Sequence, residues 1–264
     1  MTRKKRKHTV AMVIGCAHMP YVLKPAWNLT VQAIEIIKPD ILLLNGDGAD
    51  FAGICPMNKD VRVEVNFEKD ELIPVRACVD ELESAVSRQC DLIWQEGNHE
   101  HWWSKYYLDK PAVRAKTWFE ELKLTNKWEI REYDDEEMPE ITFGDLTVAH
   151  GTKVRQHSGW TARAELNDRW VPIMIAHTHR MGSYFFTPAD TGVIYDAYEI
   201  GCLADQTTAR KYMKKKPNWQ HGFAVVSFDK KSGWFEVALK KISRIRNTPT
   251  YRLGLHEGVL ECKM

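Results

Sequence analysis

Five short apolar runs mark the first two thirds of this chain, and each stops at a cluster of residues able to hold protons, metals or phosphate. Val13-Ile14-Gly15 leads into Cys16-Ala17-His18, and Leu43-Leu44-Asn45 leads into Gly46-Asp47-Gly48-Ala49-Asp50. Leu92-Ile93-Trp94 precedes Gly97-Asn98-His99-Glu100, Val148-Ala149 precedes His150-Gly151, and Ile175-Ala176 precedes His177-Thr178-His179-Arg180. Runs this short and this rich in Val, Ile and Leu read as strands. Helical periodicity over residues 27–37, stopped before Pro39, and over residues 72–86 separates the early ones. Strand-helix-strand order implies an α/β sheet with parallel strands. Such sheets bind ligands outside the carboxyl ends of their strands, so the five clusters should converge on one crevice. One buried histidine is ordinarily a packed core residue; five groups of N, O and S donors behind five strands suit a pair of divalent cations.

The second half changes character. Residues 141–143 and 146–148 flank Gly144-Asp145, and residues 223–228 and 234–239 flank Lys230-Lys231-Ser232-Gly233, both readable as β-hairpins. The 264 residues are 44% hydrophobic, enough for a sizeable core. Thirty-seven Lys plus Arg offset thirty-six Asp plus Glu, which argues against holding nucleic acid by bulk positive charge. The longest apolar runs fall far short of the roughly 20 residues that span a bilayer, so a cytoplasmic protein with no membrane partner is expected. The six cysteines form no CxxC pair and fit neither a zinc ribbon nor a disulfide framework. The domain reading is a flexible basic tail over residues 1–8, one domain over 9–244 and a loose C-terminal extension over 245–264. The charge runs at residues 134–137 and 214–216 read as solvated loop.

The ordered clusters over residues 10–180 resemble the calcineurin-like metallophosphoesterase superfamily, whose pattern runs D-x-H, G-D-x-x-D, G-N-H-(D/E), H and G-H-x-H. Two departures stand out: Ala176 replaces a glycine, and Cys16 replaces the first aspartate. The resemblance implies a four-layer α/β/β/α sandwich of two mixed β-sheets. It places His18, Asp47, His179 and Cys16 on one metal and Asn98, His150 and His177 on the second, with Asp47 bridging. It also makes His99 the group that meets the leaving oxygen, with Asp50 orienting it; Arg180, directly after His179, is a candidate phosphate contact because its planar fork matches phosphate oxygens, with a plain surface arginine as the alternative. The implied cofactors are two divalent ions, Mn2+, Zn2+ or Fe2+, and the implied reaction is attack by a metal-bridging hydroxide.

Cys16 has three readings: a thiolate ligand favouring zinc or ferrous iron, a residue too weakly placed to bind, or an inert residue in a degenerate site. Gly15-Cys16-Ala17-His18 resembles the glycine-cysteine-x-histidine motif of RNA lariat debranching enzymes. His177-Thr178-His179-Arg180, Gly201-Cys202-Leu203 and Asn218-Trp219-Gln220-His221-Gly222-Phe223 look like phage-encoded phosphoesterases of the DNA-repair type, which would put the protein in a host cytoplasm. Of Trp102, Trp103, Tyr106 and Tyr107, which follow directly on the third cluster, some are expected near the crevice rim, where rings could stack bases; the alternative is that they cap the core. Lys153 and Arg155, with His157 and Arg163, are candidate backbone contacts. The leading expectation is therefore a dinuclear phosphodiesterase acting on nucleic acid or a nucleotide. A phosphomonoesterase and a non-catalytic binding module are the alternatives.

Overall fold

In the computed structural model, which describes residues 7–56, 67–108, 116–134, 137–209 and 218–264, side-chain alternation along the strands sorts the apolar residues into separate cores. Strands β1 (Thr9–Ile14) and β2 (Ile41–Asn45) send Met12, Ile14, Leu42 and Leu44 to one face, and Ala11, Val13, Ile41 and Leu43 to the other. Both faces are covered, which is why β2 reads as an unbroken apolar run. With β3 (Asp91–Gln95) and β4 (Trp128–Arg131) they form a parallel set.

Helices α1 (Lys24–Ile37) and α2 (Ile73–Ala85) cover the outer face, each opened by a proline in its first turn. Val75, Val79 and Leu82 recur at helical spacing to make the buried stripe of α2. Helix α1 ends where Lys38 turns left-handed and returns its N–H to Ile34 O, immediately before Pro39. Helices α3 (Asn98–Leu108) and α4 (Trp118–Glu121) follow β3.

The second sheet contains β5 (Glu140–Phe143), β6 (Leu146–Ala149), β7 (Ile173–Ile175), β8 (Met181–Phe186) and β9 (Tyr195–Ile200), in the order β5-β6-β7-β9-β8. Strands β6, β7 and β9 are parallel, and β5 and β8 are antiparallel edges. Helix α5 (Trp160–Arg169) packs Ala162 and Leu166 on the outer face, against Ile173, Ile175 and Ala197. Met174, Tyr198 and Ile200 point the other way, into the core between the sheets. The architecture is the four-layer α/β/β/α sandwich of two mixed sheets.

Helix α6 (Gln206–Ala209) precedes β10 (His221–Phe228) and β11 (Phe235–Arg244), the expected second hairpin; β10 pairs antiparallel with β1. Residues 245–264 do not trail loosely. They form a hairpin of β12 (Thr250–Leu255) and β13 (Gly258–Lys263) that extends the first sheet to the order β13-β12-β11-β10-β1-β2-β3-β4. Tyr251 and Leu253 are buried in the core beneath α1, the apolar gain that fixes this segment. At the other end His8 rests against Trp234, with ring centroids 4.7 Å apart. Residues 1–6 of the basic tail, residues 135–136 of the acidic run and the 214–216 run lie outside the described residues. No described helix is long and apolar enough to cross a membrane.

Candidate metal centre

The five clusters meet at the carboxyl ends of β1, β2 and β3 in one sheet and of β6 and β7 in the other. The backbone there is strained. Cys16 (φ 48°), His18 (φ 53°), Asp47 (φ 51°), His177 (φ 54°) and His179 (φ 58°) all take left-handed conformations, which cost a side-chain-bearing residue about 1–2 kcal/mol each. Strain gathered at one place marks a functional site. Backbone bonds fix the loops: Cys16 N–H donates to Gly46 O (3.1 Å), His18 N–H to Asp47 O (2.9 Å) and Ala176 N–H to His150 O (3.0 Å). Gly46 and Gly97 are required by close approach. A Cβ on Gly46 would stand 2.3 Å from His150 Nδ1, and one on Gly97 would stand 2.4 Å from Asp47 Oδ1.

One donor atom from each of Cys16, His18, Asp47 and His179 lies within 4.8 Å of the others, and Asp47, His150 and His177 form a second such group. Their orientation is informative. His150 donates Nδ1–H to Asn45 O (3.0 Å), so its Nε2 lone pair faces Asp47 Oδ2 (3.1 Å), Asn98 Oδ1 (3.2 Å) and His177 Nδ1 (3.3 Å). His18 donates Nδ1–H to Asp50 Oδ1 (2.7 Å), leaving its Nε2 lone pair 2.9 Å from His179 Nε2. Acceptors that face acceptors repel unless a cation or a proton stands among them. This set of N, O and S donors is of the kind that fits a divalent metal site.

Protonation follows the same logic. Burial opposes charge on His18 and His150, yet Asp50 at the first and Asp47 at both outweigh it, and both pKa values rise. Burial and the neighbouring imidazoles hold His177 down to about 4 and His179 well below the ordinary range, leaving both free to ligate as neutral rings. Burial opposes charge on Asp47 too, but His150 and His99 hold it well below the usual carboxylate range. Burial, reinforced by the Asp47 charge, pushes the Cys16 thiol well up; its Sγ accepts the His177 N–H at 3.1 Å.

The remaining sequence-derived residues divide. His99 reaches the cluster, its Nε2 4.0 Å from Asp47 Oδ2, and its Nδ1–H donates to the Asp50 backbone carbonyl at 2.6 Å. Asp50 thus orients His99 through its main chain, while its carboxylate sits closer to His18 (2.7 Å) than to His99 Nδ1 (3.6 Å). Trp102 lies over His99, ring centroids 4.0 Å apart and planes 34° apart. Trp103 is not at the rim. It is 4% exposed, packs on Phe51 and Phe67 and donates Nε1–H to Lys116 O, because successive helical residues face different directions. Tyr106 is exposed; the Tyr107 side chain lies outside the described residues. Lys153 is ion-paired with Asp168 and Glu165, and exposed Arg155 offers its carbonyl to Arg180 Nη1.

Sequence reasoning assigned no role to Glu100. Its buried carboxylate accepts the N–H groups of Asp47 (3.0 Å), Ala49 (3.0 Å) and Gly97 (2.9 Å) and Nε1–H of Trp94 (3.2 Å), tying the β2 and β3 loops together. Asn45 was also missed; it bonds Ala149 O through Nδ2 and clasps His150 through its own carbonyl. An acid in the first turn of a helix that follows a strand is the signal that could have found Glu100.

No protein-family profile matches the chain, and no curated protein does. Solved structures of similar trace include Vps29 from Chaetomium thermophilum (15% identity over 96% of this chain and 97% of that one, TM-score 0.47). Vps29 from Entamoeba histolytica complexed with Zn2+ is similar too (11% identity over 97% and 98%, TM-score 0.44). A third is a metallophosphoesterase from Sphaerobacter thermophilus (15% identity over 90% of each, TM-score 0.41). At these identities and scores they assign neither a family nor an activity.

Proposed function

We propose that this protein is a divalent-metal-dependent phosphoester hydrolase whose substrate is a phosphodiester in nucleic acid or a nucleotide. The observation that carries the reading is the convergence of acceptors, His18 Nε2 on His179 Nε2 and His150 Nε2 on Asp47, Asn98 and His177. Cys16, His18, Asp47 and His179 would hold one cation, and Asp47, Asn98, His150 and His177 the other. When bound, such a pair polarises phosphoryl oxygens and lowers the pKa of water, supplying the nucleophile. Asp47 serves both groups, and its Oδ1 accepts the His99 N–H at 3.0 Å, so the bridge also anchors the start of α3. With His99 Nδ1 held by the Asp50 carbonyl, Nε2 is the atom that can meet a leaving or phosphoryl oxygen.

One feature favours the diester over the monoester. Trp102 beside His99 offers a ring to a base next to the scissile phosphate.

The test is hydrolysis of bis(p-nitrophenyl) phosphate against p-nitrophenyl phosphate by protein loaded in parallel with manganese, zinc and ferrous iron. Diester preference is expected, with Asp47→Asn slower by roughly 10^3-fold or more. Monoester preference would overturn the substrate reading, and no turnover with any metal would leave a binding module in its place.

A further inference from the structure

The histidines around the centre differ in what holds the nitrogen turned away from it. His18 Nδ1 has the Asp50 carboxylate, His150 Nδ1 the Asn45 carbonyl and His99 Nδ1 the Asp50 carbonyl. Among the buried histidines of the centre, His18, His150 and His179, the last is the exception. Its Nε2 faces His18, it is 7% exposed, and its Nδ1 is buried with no hydrogen-bond partner among the described residues. A metal-binding histidine ordinarily donates its far N–H to a carboxylate, carbonyl or water, which fixes ring and tautomer. An indole stands against this one. The Trp219 ring lies 4.2 Å from the His179 ring, with planes 74° apart.

The segment carrying Trp219 is fastened to His179 and to the sheets. Gln220 N–H donates to His179 O (2.9 Å), Cys202 N–H donates to Gln220 O (3.1 Å), and the Gln220 side chain accepts the Met181 N–H (3.1 Å). Gln206 Nε2 donates to Trp219 O (3.2 Å), and the indole is half-buried on the core between the sheets. The indole is therefore held in place independently of the imidazole it touches.

Resting on the metal-centre reading, we infer that Trp219 is the positioning residue of His179, its indole packing against the imidazole in place of the oxygen acceptor that serves His18, His150 and His99. Packing against an aromatic ring orients an imidazole without the polarisation that an N–H directed at oxygen supplies. His179 consequently enters the Cys16–His18–Asp47 group less polarised than a carboxylate-backed imidazole, and its orientation depends on packing.

The full-length protein titrated with Co2+ tests this, using Trp219→Phe and Trp219→Leu beside wild type. Trp219→Leu is expected to weaken one of two bound ions by about 10-fold or more and to change its visible spectrum, with the other ion unmoved. Trp219→Phe, which keeps an aromatic face, is expected to stay within about threefold with the wild-type spectrum. In wild-type protein loaded with Zn2+, the His179 Nδ1–H should resonate upfield of its His18 and His150 counterparts, a readout that needs no variant. Wild-type affinity and spectrum in Trp219→Leu, equal losses in both variants, or a His179 proton as far downfield as the others would each overturn the assignment. Absence of Co2+ binding by wild type would remove it together with the metal centre, whereas intact binding with unaffected variants would remove it alone.

Discussion

At the residue scale, the centre is built from side chains whose neighbours decide their protonation. Cys16 is fully buried, and without a cation its thiol is held neutral by burial and by Asp47. A bound dication reverses that preference, and a soft thiolate selects zinc or ferrous iron over manganese. Cys16→Ser is therefore expected to weaken zinc binding by ~10-fold or more while changing manganese affinity by less than about threefold. The sulfur-to-metal band of the Co2+ form should vanish with it; a Co2+ spectrum unchanged in Cys16→Ser would mean that the thiol is not a ligand. Glu100 makes a different kind of statement. Turning one carboxylate oxygen into an amide group would point N–H at N–H, losing charge-assisted bonds of ~1.5–3 kcal/mol each. With two bonds on each oxygen, the unfolding midpoint of Glu100→Gln should fall by roughly 6–24 °C, and an unshifted midpoint would deny the carboxylate its part in tying the loops. The residues that cluster at the candidate centre were legible because each stands directly behind an apolar run. Glu100 and Asn45 were not, because a residue that works by accepting backbone N–H groups has a value visible only once the loops are side by side. Asp50 shows the limit differently: it stands beside His99, but whether carboxylate or carbonyl would meet that ring depends on a backbone that residue letters do not specify.

At the scale of elements, strand ends and helix starts do the positioning, and not all of it stabilises the fold. Glu71, just before α2, accepts the Gly53 N–H at 2.7 Å, but burial pushes its carboxyl up to about 7 despite that bond. A carboxyl whose folded-state pKa is raised lends stability that is complete below its ordinary value and is lost as pH climbs through the folded one. The unfolding midpoint should therefore drop between about pH 4.5 and pH 7.5 by an amount that Glu71→Gln removes, since glutamine keeps an acceptor and cannot ionise. Equal pH slopes for the two proteins in a thermal-unfolding series would rule this out. The five apolar strands and helices α1 and α2 follow directly from their patterns, with Pro25 and Pro74 opening the two helices and Pro39 closing the first. Some of the aromatic rings after β3 were expected at the rim and core capping was the alternative; Trp102 covers His99 and its neighbour Trp103 fills the core. A run of aromatics on a helix always divides this way, and the residue that faces outward depends on the packing of the helix.

At the scale of the whole molecule, the centre lies where two sheets meet. Cys16, His18, Asp47 and Asn98 come from the loops of the eight-stranded sheet, and His150, His177 and His179 from those of the five-stranded one. Of the parallel strands, β1, β2, β3, β6 and β7 were visible as apolar runs and β4 and β9, which carry charged residues, were not; the joining of β10 to β1 spans most of the chain and has no local signature. The C-terminal hairpin escaped for a related reason: Tyr251 and Leu253 alternate with polar residues over one short strand, and only α1 above them makes that face worth burying. Because each cation would draw ligands from both sheets, it would act as a staple that the unfolded chain lacks. A ligand at 100 times its dissociation constant stabilises the native state by about 2.7 kcal/mol, or roughly 5–11 °C for a chain of this size. Zinc or manganese should raise the unfolding midpoint by that much over protein stripped with a chelator. Asp47→Asn, which removes the one carboxylate shared by both groups, should lose most of the rise, whereas substitution at exposed Arg155 should keep it. A midpoint indifferent to metal in the wild type would mean that the two sheets hold the centre's geometry without any ion between them.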